Sequence, residues 1–104
     1  MKERVLRKLF LGFMQVHILY HAREEPIYGV YMMEELRRHG YEVSAGTLYP
    51  LLHNLATSGL LSVEKKVIQG KIRKYYTITP AGEEVLEEAS DKAQELVKEL
   101  QEKP

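Results

Sequence analysis

The sequence contains no cysteine, and this absence removes several classes of site at once. Without thiols, the 104-residue chain has no disulfide, no Cys-ligated zinc and no thiol nucleophile, and it fits a reducing cytosol. Its longest apolar stretch, Leu9–Tyr20, is interrupted by Gln15 and His17 and is too short to cross a bilayer. We therefore expect a cytoplasmic protein with one modest core and no membrane partner.

Charge of one sign is not in excess, since fifteen basic residues balance fifteen acidic ones, but the charges are unevenly distributed. The segment from residue 62 to 76 holds one acid, Glu64, while the segment from residue 80 onwards is strongly acidic. The first segment attracts phosphate and the second repels it. The cations of the first segment are Lys65, Lys66, Lys71, Arg73 and Lys74.

Catalytic motifs are also missing. The sequence has no glycine-rich phosphate loop, and its single aspartate, Asp91, lies in the acidic tail. His17 and His21 have the i, i+4 spacing that can hold a metal, but no cysteine or nearby glutamate completes a set. We expect no enzyme activity, no catalytic residue, no metal site and no cofactor.

The first segment, from about Lys2 to Ala22, has the periodicity of a helix that is apolar nearly all round. We take one stripe as its core face, with other apolar residues such as Ile18 and Leu19 lying off it. Because such a helix must be covered on two sides, a small domain of this kind is expected to use a second subunit. The stripe consists of Leu6, Leu9, Phe10, Phe13, His17 and Tyr20.

A second helix is predicted from about Tyr28 to His39, and a third ends near Ser58. Ser44 or Thr47 could cap the third helix, and Pro50 favours Thr47, because proline is tolerated in a first turn. Leucines form one side of this helix, and no carboxylate occurs between residues 43 and 61, as expected of a surface that meets phosphate. The hydrogen-bond donors of this segment are Ser44, Thr47, Tyr49, His53 and Asn54.

Residues 60–79 follow the pattern of a β-hairpin with Gln69-Gly70 as its turn. Its cations either protect a sheet edge from aggregation or bind DNA, and their position beside the carboxylate-free helix favours DNA. One of Tyr75 and Tyr76 is expected in the core and the other on the sugar-phosphate backbone.

Thr79-Pro80 begins a last helix, whose apolar residues form a short heptad seam. With the first helix, this seam predicts a homodimer. The predicted dimer contacts are Phe10, Phe13, Leu86, Ala89, Ala93, Leu96 and Leu100.

Several motifs together resemble the PadR family of transcriptional regulators. They are Tyr28-Gly29, residues 44–52 (Ser-Ala-Gly-Thr-Leu-Tyr-Pro-Leu-Leu), residues 59–61 (Gly-Leu-Leu), residues 73–76 (Arg-Lys-Tyr-Tyr) and residues 79–82 (Thr-Pro-Ala-Gly). The resemblance implies a winged-helix dimer that usually represses transcription, with its third helix in the major groove and its wing on the backbone or minor groove. It adds Pro50 to the expected contacts. The chain lacks the tryptophan on which some relatives stack planar drugs, so drug sensing is not implied.

We therefore predict a mainly α fold with a small β-hairpin: a winged helix-turn-helix domain over residues 1–79 and a C-terminal dimerisation helix over residues 80–104. The expected function is sequence-specific regulation, as a repressor, by a homodimer on an inverted-repeat operator in double-stranded DNA. A winged helix used only for protein interaction is the alternative, and an unidentified small-molecule effector is left open. The expected DNA contacts are Ser44, Thr47, Tyr49, Pro50, His53, Asn54, Lys65, Lys66, Lys71, Arg73, Lys74 and Tyr75.

Overall fold

The computed structural model describes residues 1–102, so the last two residues of the predicted C-terminal segment lie outside the described part. Four helices and one hairpin follow in the predicted order, which confirms the fold class. No helix within residues 1–102 combines the length and apolarity needed to cross a membrane. The elements are α1 (Lys2–Glu24), α2 (Gly29–Arg38), α3 (Ala45–Thr57), β1 (Leu61–Ile68), β2 (Lys71–Ile78) and α4 (Pro80–Gln101).

The core lies between α1, α2 and α3 and is closed by the base of the hairpin and the start of α4. The expected core stripe of α1 is wrong: Phe10 and Phe13 are 41% and 43% exposed, and Tyr20 is also exposed. The other side of the helix is buried instead, because both sides are apolar and only one can face α2 and α3. The buried residues of α1 are Met14, Ile18, Leu19 and Ala22.

The helix α3 begins one turn earlier than expected. Ser44 is its N-cap, so the preference for Thr47 is wrong, and Pro50 lies inside the helix. Proline removes the backbone donor that would bond the carbonyl of the residue four positions earlier, which is Gly46. Gly46 and Pro50 are both exposed, so water can hydrate that carbonyl and the helix tolerates the loss. The leucines confirm the predicted side, with Leu48 and Leu52 fully buried.

The hairpin is antiparallel, with Leu61 paired to Ile78 at its base and Ile68 paired to Lys71 at its tip. Gln69 and Gly70 both have positive φ, as a two-residue type I′ turn requires, which confirms the predicted turn. The base is widened by Ile27, whose N–H and carbonyl both bond the backbone of Tyr76, at 2.9 and 2.8 Å. The residues just before α2 are therefore fixed to the hairpin of β1 and β2, which is the wing.

The helix α4 starts as predicted, with the Thr79 hydroxyl accepting a hydrogen bond from the Gly82 N–H at 3.0 Å and Pro80 in the first turn. Gly82 lies so close to the Leu60 carbonyl that a Cβ would overlap it, which fixes the helix against the chain that leaves α3. Beyond Ala89 every described residue of α4 is exposed. This projection explains a radius of gyration of 15.2 Å, against about 13 Å for a compact domain of this length.

Candidate nucleic-acid interface

The outer face of α3 is polar, aromatic and open. The side opposite the buried leucines carries Tyr49, Pro50, His53 and Asn54, all of them exposed, as predicted. Ser44 is exposed at the start of the helix, and its hydroxyl donates to Thr47 Oγ1 at 3.5 Å. A helix face of this composition offers donors and acceptors to base edges and places no negative charge beside phosphate.

A cleft of about 700 Å³ separates this face from the wing. Tyr49 and His53 line it from α3, while Lys71, Arg73 and Lys74 line it from β2. Five predicted contacts from two distant segments therefore share one surface, and no carboxylate is among the lining residues. The arrangement forms a cationic recess whose walls are a helix and a projecting hairpin.

The wing cations face one another across the two strands. Lys65 is paired directly with Lys74, and Lys66 with Arg73. Like charges opposite each other destabilise a sheet pair, and within residues 1–102 none of the five wing cations forms a salt bridge. The acids of α4 make no salt bridge to the wing either. The positive charge is thus left available to an external anion.

Aromatic rings hold two of these cations in place. The Arg73 guanidinium lies 4.2 Å from the centre of the Tyr28 ring, and the Lys66 ammonium lies 5.3 Å from the centre of the Tyr75 ring. The two rings meet edge to face at 5.6 Å. A hydrogen bond to Tyr75 raises the pKa of Arg73 above its usual value. Tyr75 therefore orients the wing cations, while Tyr76 is the tyrosine in the core.

Two residues of this surface were missed as contacts by the sequence reasoning, although they belong to the Tyr28-Gly29 motif. Tyr28 carries Arg73 on its ring, and Gly29 lies directly under the ring of Tyr49. A Cβ on Gly29 would overlap that ring, so only glycine lets Tyr49 lie against the start of α2. The signal was the pair Tyr-Gly at a helix start, where glycine is otherwise a weak choice.

Thr47 does not lie in the cleft between α3 and the wing. It is half-buried and lines a second cleft, of about 660 Å³, between α1 and the turn after α2. Phe10, Phe13 and Tyr41 line the same cleft, and the Phe10 and Tyr41 rings meet edge to face at 5.9 Å. This second cleft brings the predicted dimer residues of α1 close to the start of α3.

The predicted dimer residues of α4 are divided by burial. Leu86 is in the core and Ala89 is partly buried, whereas Leu96 and Leu100 are 48% and 74% exposed. The inner end of the seam thus packs against this chain, and its outer end is open in the isolated protomer.

A histidine cluster lies between α1 and α2. The sequence identified only half of its residues. His17 and His21 of α1 meet His39 at the end of α2, and one ring nitrogen of each lies within 4.8 Å of the others. Glu35 Oε2 is 3.4 Å from His21 Nε2 and 3.7 Å from His39 Nε2. The available signal was a second i, i+4 pair, Glu35 and His39, that matches the first.

The chain is similar to known proteins over most of its length. Residues 18–88 match the transcriptional regulator PadR-like family. The chain is 42% identical over 95 residues to transcriptional regulator Rv3488 of Mycobacterium tuberculosis, covering 91% of this chain and 89% of that protein. It is also similar to the crystal structure of a PadR family transcriptional regulator from Eggerthella lenta DSM 2243, with a TM-score of 0.82, 34% identity, and coverage of 94% of this chain and 87% of that one.

A PadR-like transcriptional regulator from Bacillus cereus strain ATCC 14579 has a TM-score of 0.77 and 32% identity, and the match covers 92% of this chain and 99% of that chain. Proteins of this family are DNA-binding regulators of transcription and not enzymes. The resemblance found in the motifs is thereby confirmed: this chain belongs to the PadR-like family of transcriptional regulators.

Proposed function

We propose that this regulator is a cytoplasmic, sequence-specific repressor that binds an inverted-repeat operator as a homodimer. The observation that carries the proposal is the recess between α3 and the wing, which has three cations and no carboxylate among its lining residues. Duplex DNA is the polyanion that fits a recess with a helix as one wall, because its major groove admits an α-helix and its backbone lies alongside.

In this proposal α3 reads bases. Its exposed face includes the hydroxyl of Tyr49, the amide of Asn54 and the imidazole of His53, which can all bond base edges. Ser44, Thr47 and Pro50 complete the set at and near its start, where small side chains allow a close approach to the groove. Thr47 contributes mainly by fixing Ser44, to which it is hydrogen-bonded.

The wing supplies affinity through phosphate contacts. Lys65, Lys66, Lys71, Arg73 and Lys74 form the cationic set, and Tyr75 orients two of them. Their mutual repulsion across the strands is relieved when phosphates come between them, and counterions leave the DNA at the same time. Both effects favour the complex without selecting a sequence.

A second copy of the chain is the partner proposed for the open apolar faces. On α1 the exposed residues include Phe10 and Phe13, and on α4 they include Leu96 and Leu100. The α4 residues continue a heptad seam, which is self-complementary when two identical helices pair. Every described residue of α4 beyond Ala89 is exposed, so a second copy would explain both the length of this helix and its apolar side.

We further propose that the protein represses transcription and responds to a small-molecule effector. Repression follows from the family resemblance and would result from occupying promoter DNA. A small-molecule effector would act at the cleft beside α1, whose volume of about 660 Å³ is within the usual range for ligand pockets and whose residues Phe10 and Phe13 belong to the predicted dimer contact.

Selection of bound fragments from a random DNA pool tests the proposal. We expect an enriched inverted repeat whose half-sites are ~34–36 Å apart along the helix axis. Enrichment of a single half-site would contradict the dimer, and no enrichment together with no shift of the gene's own upstream DNA would favour the protein-interaction alternative. A reporter driven by the selected site should lose expression when the protein is present, and increased expression would contradict repression.

Two variants separate the roles of helix and wing. Tyr49→Phe keeps the ring over Gly29 and removes only the hydroxyl, so it should reduce discrimination at one position of each half-site, by at most about 1–3 kcal/mol. Lys66→Ala should weaken binding to all sequences equally. Lys98→Ala, on the acidic helix α4, is the matched control for loss of a lysine. If the two test variants behave alike, the assignment of roles is wrong.

A further inference from the structure

We propose that the cluster of His17, His21 and His39, with Glu35, is a binding site for a divalent transition metal of the zinc type. Three ring nitrogens from two helices lie within 4.8 Å of one another. Glu35 Oε2 faces two of them, at 3.4 and 3.7 Å. Three imidazole nitrogens therefore converge between α1 and α2, and the Glu35 carboxylate lies beside two of them.

The donor set and its spacing fit Zn²⁺. Tetrahedral zinc with Zn–N bonds near 2.0–2.1 Å places its donors about 3.4 Å apart. The distance between Glu35 Oε2 and His21 Nε2 already has this value, and the three ring nitrogens, which lie within 4.8 Å of one another, would move closer together around a bound ion. Imidazoles suit Zn²⁺, Ni²⁺ and Cu²⁺, whereas Mg²⁺ and Ca²⁺ prefer oxygen donors. The cluster should thus reject the hard cations.

Neighbouring groups prepare these donors. Burial first, and then the nearby His39 and His21, lower the pKa of His17, which keeps this imidazole in the neutral form that a metal requires. Tyr31 Oη lies 3.5 Å from His21 Nδ1 and can accept a hydrogen bond from the Nδ1–H tautomer, which leaves Nε2 free as the ligand atom.

Some charges around the cluster oppose a bound cation and others favour it. Arg38 bonds both oxygens of Glu35, at 3.0 and 2.8 Å, and its positive charge opposes a second cation. The carboxylate offsets that charge and has lone pairs left for a metal. The C-terminal ends of α1 and α2, marked by His21 and His39, add their negative dipole ends on the same side.

The position of the cluster indicates what metal binding would change. It joins α1, which carries predicted dimer contacts, to the last residue before the turn that leads to α3. A bound ion would fix the end of α2 against α1 and so stabilise the folded protein. This inference does not depend on DNA binding, and it can be tested on the free protein.

Calorimetric titration of the chelator-treated full-length protein with ZnCl₂ tests the site. We expect one ion per chain and a melting temperature that rises with zinc concentration. Co²⁺ in the same site should give the intense visible absorption of tetrahedral coordination, and excess Mg²⁺ should not displace it. A weak titration without a defined stoichiometry, or an octahedral cobalt spectrum, would overturn the proposal.

Variants identify the ligands. His17→Gln and His39→Gln should each weaken zinc binding by more than Tyr31→Phe, whose loss as an outer partner should cost roughly 10- to 100-fold. His53→Gln, which removes the one histidine outside the cluster, should leave zinc affinity unchanged, and it serves as a control for zinc binding only. A thermal unfolding transition measured without zinc shows that each variant folds. Equal zinc affinity in His17→Gln, His39→Gln and the parent protein would contradict the site.

Discussion

Removal of one wing lysine tests the DNA proposal and the dimer together. Lys74 is exposed, faces Lys65 across the hairpin and lines the recess beside α3. Each phosphate contact contributes about 0.9 to the slope of log K against log salt. In a homodimer, Lys74→Ala removes two contacts, so the magnitude of the slope should fall by about 1.8, whereas a monomer would lose about 0.9.

The expected difference is large enough to measure by fluorescence anisotropy. When salt is raised from 50 to 200 mM, both proteins lose affinity for DNA. A slope change of about 1.8 makes this loss roughly 12-fold smaller for the variant than for the parent protein. The affinity of the variant at low salt should fall on specific and random DNA alike. Lys98→Ala loses the same kind of charge from α4 at a position opposite the predicted seam, and it should keep the parent slope.

Three results would each count against a different step of the reasoning. An unchanged slope for Lys74→Ala would show that the wing does not contact phosphate. A change near 0.9 would support the wing contact but contradict a symmetric dimer on DNA. An equal change for Lys98→Ala would show that the effect follows total charge and not the position of the lysine in the recess.

Further substitutions test the packing that supports the interface. Gly29→Ala should displace the Tyr49 ring and weaken operator binding in gel shifts, but it should have no additional effect in a Tyr49→Ala background, where the obstructed ring is absent. Leu96→Lys should convert the proposed dimer to a monomer in sedimentation velocity, because it places a charge in the open seam; a dimer that persists would contradict the seam. Gly82→Ala should lower the urea unfolding free energy by about 1–3 kcal/mol, because a methyl overlaps the Leu60 carbonyl; unchanged stability would contradict that close approach.

Local chemistry made much of the fold predictable. The turn at Gln69-Gly70 needs positive φ, and Thr79-Pro80 supplies a cap and a first-turn proline, so short sequences decide both elements. The prediction of where α3 starts was wrong for a related reason. The rule that moves Pro50 into a first turn counts the cost of a lost hydrogen bond, and here that cost is reduced because the carbonyl without a donor belongs to the exposed Gly46 and can be hydrated.

The face of α1 that enters the core could not be chosen from its own residues. Periodicity identifies a face only by contrast, and the helix has Phe13 on one side and Ile18 on the other. The structure places Ile18 in the core and Phe13 at the surface. The histidine cluster was identified only in part, because each i, i+4 pair is visible in the sequence but the meeting of Glu35 with His21 depends on how the two helices cross.

The connection between α3 and the wing depends on three consecutive residues, 27–29, that belong to neither element. Ile27 is paired by its backbone to Tyr76 of the wing, Tyr28 carries Arg73 on its ring, and Gly29 gives Tyr49 its place against α2. A shift of this short segment would therefore move Arg73 and Tyr49, two of the proposed DNA contacts, together. The motifs of α3 and of the hairpin each predict one half of the surface, and residues 27–29 join the two halves through contacts that neither motif contains. The width of the recess therefore depends on that segment as well as on the direct packing of α3 against β1.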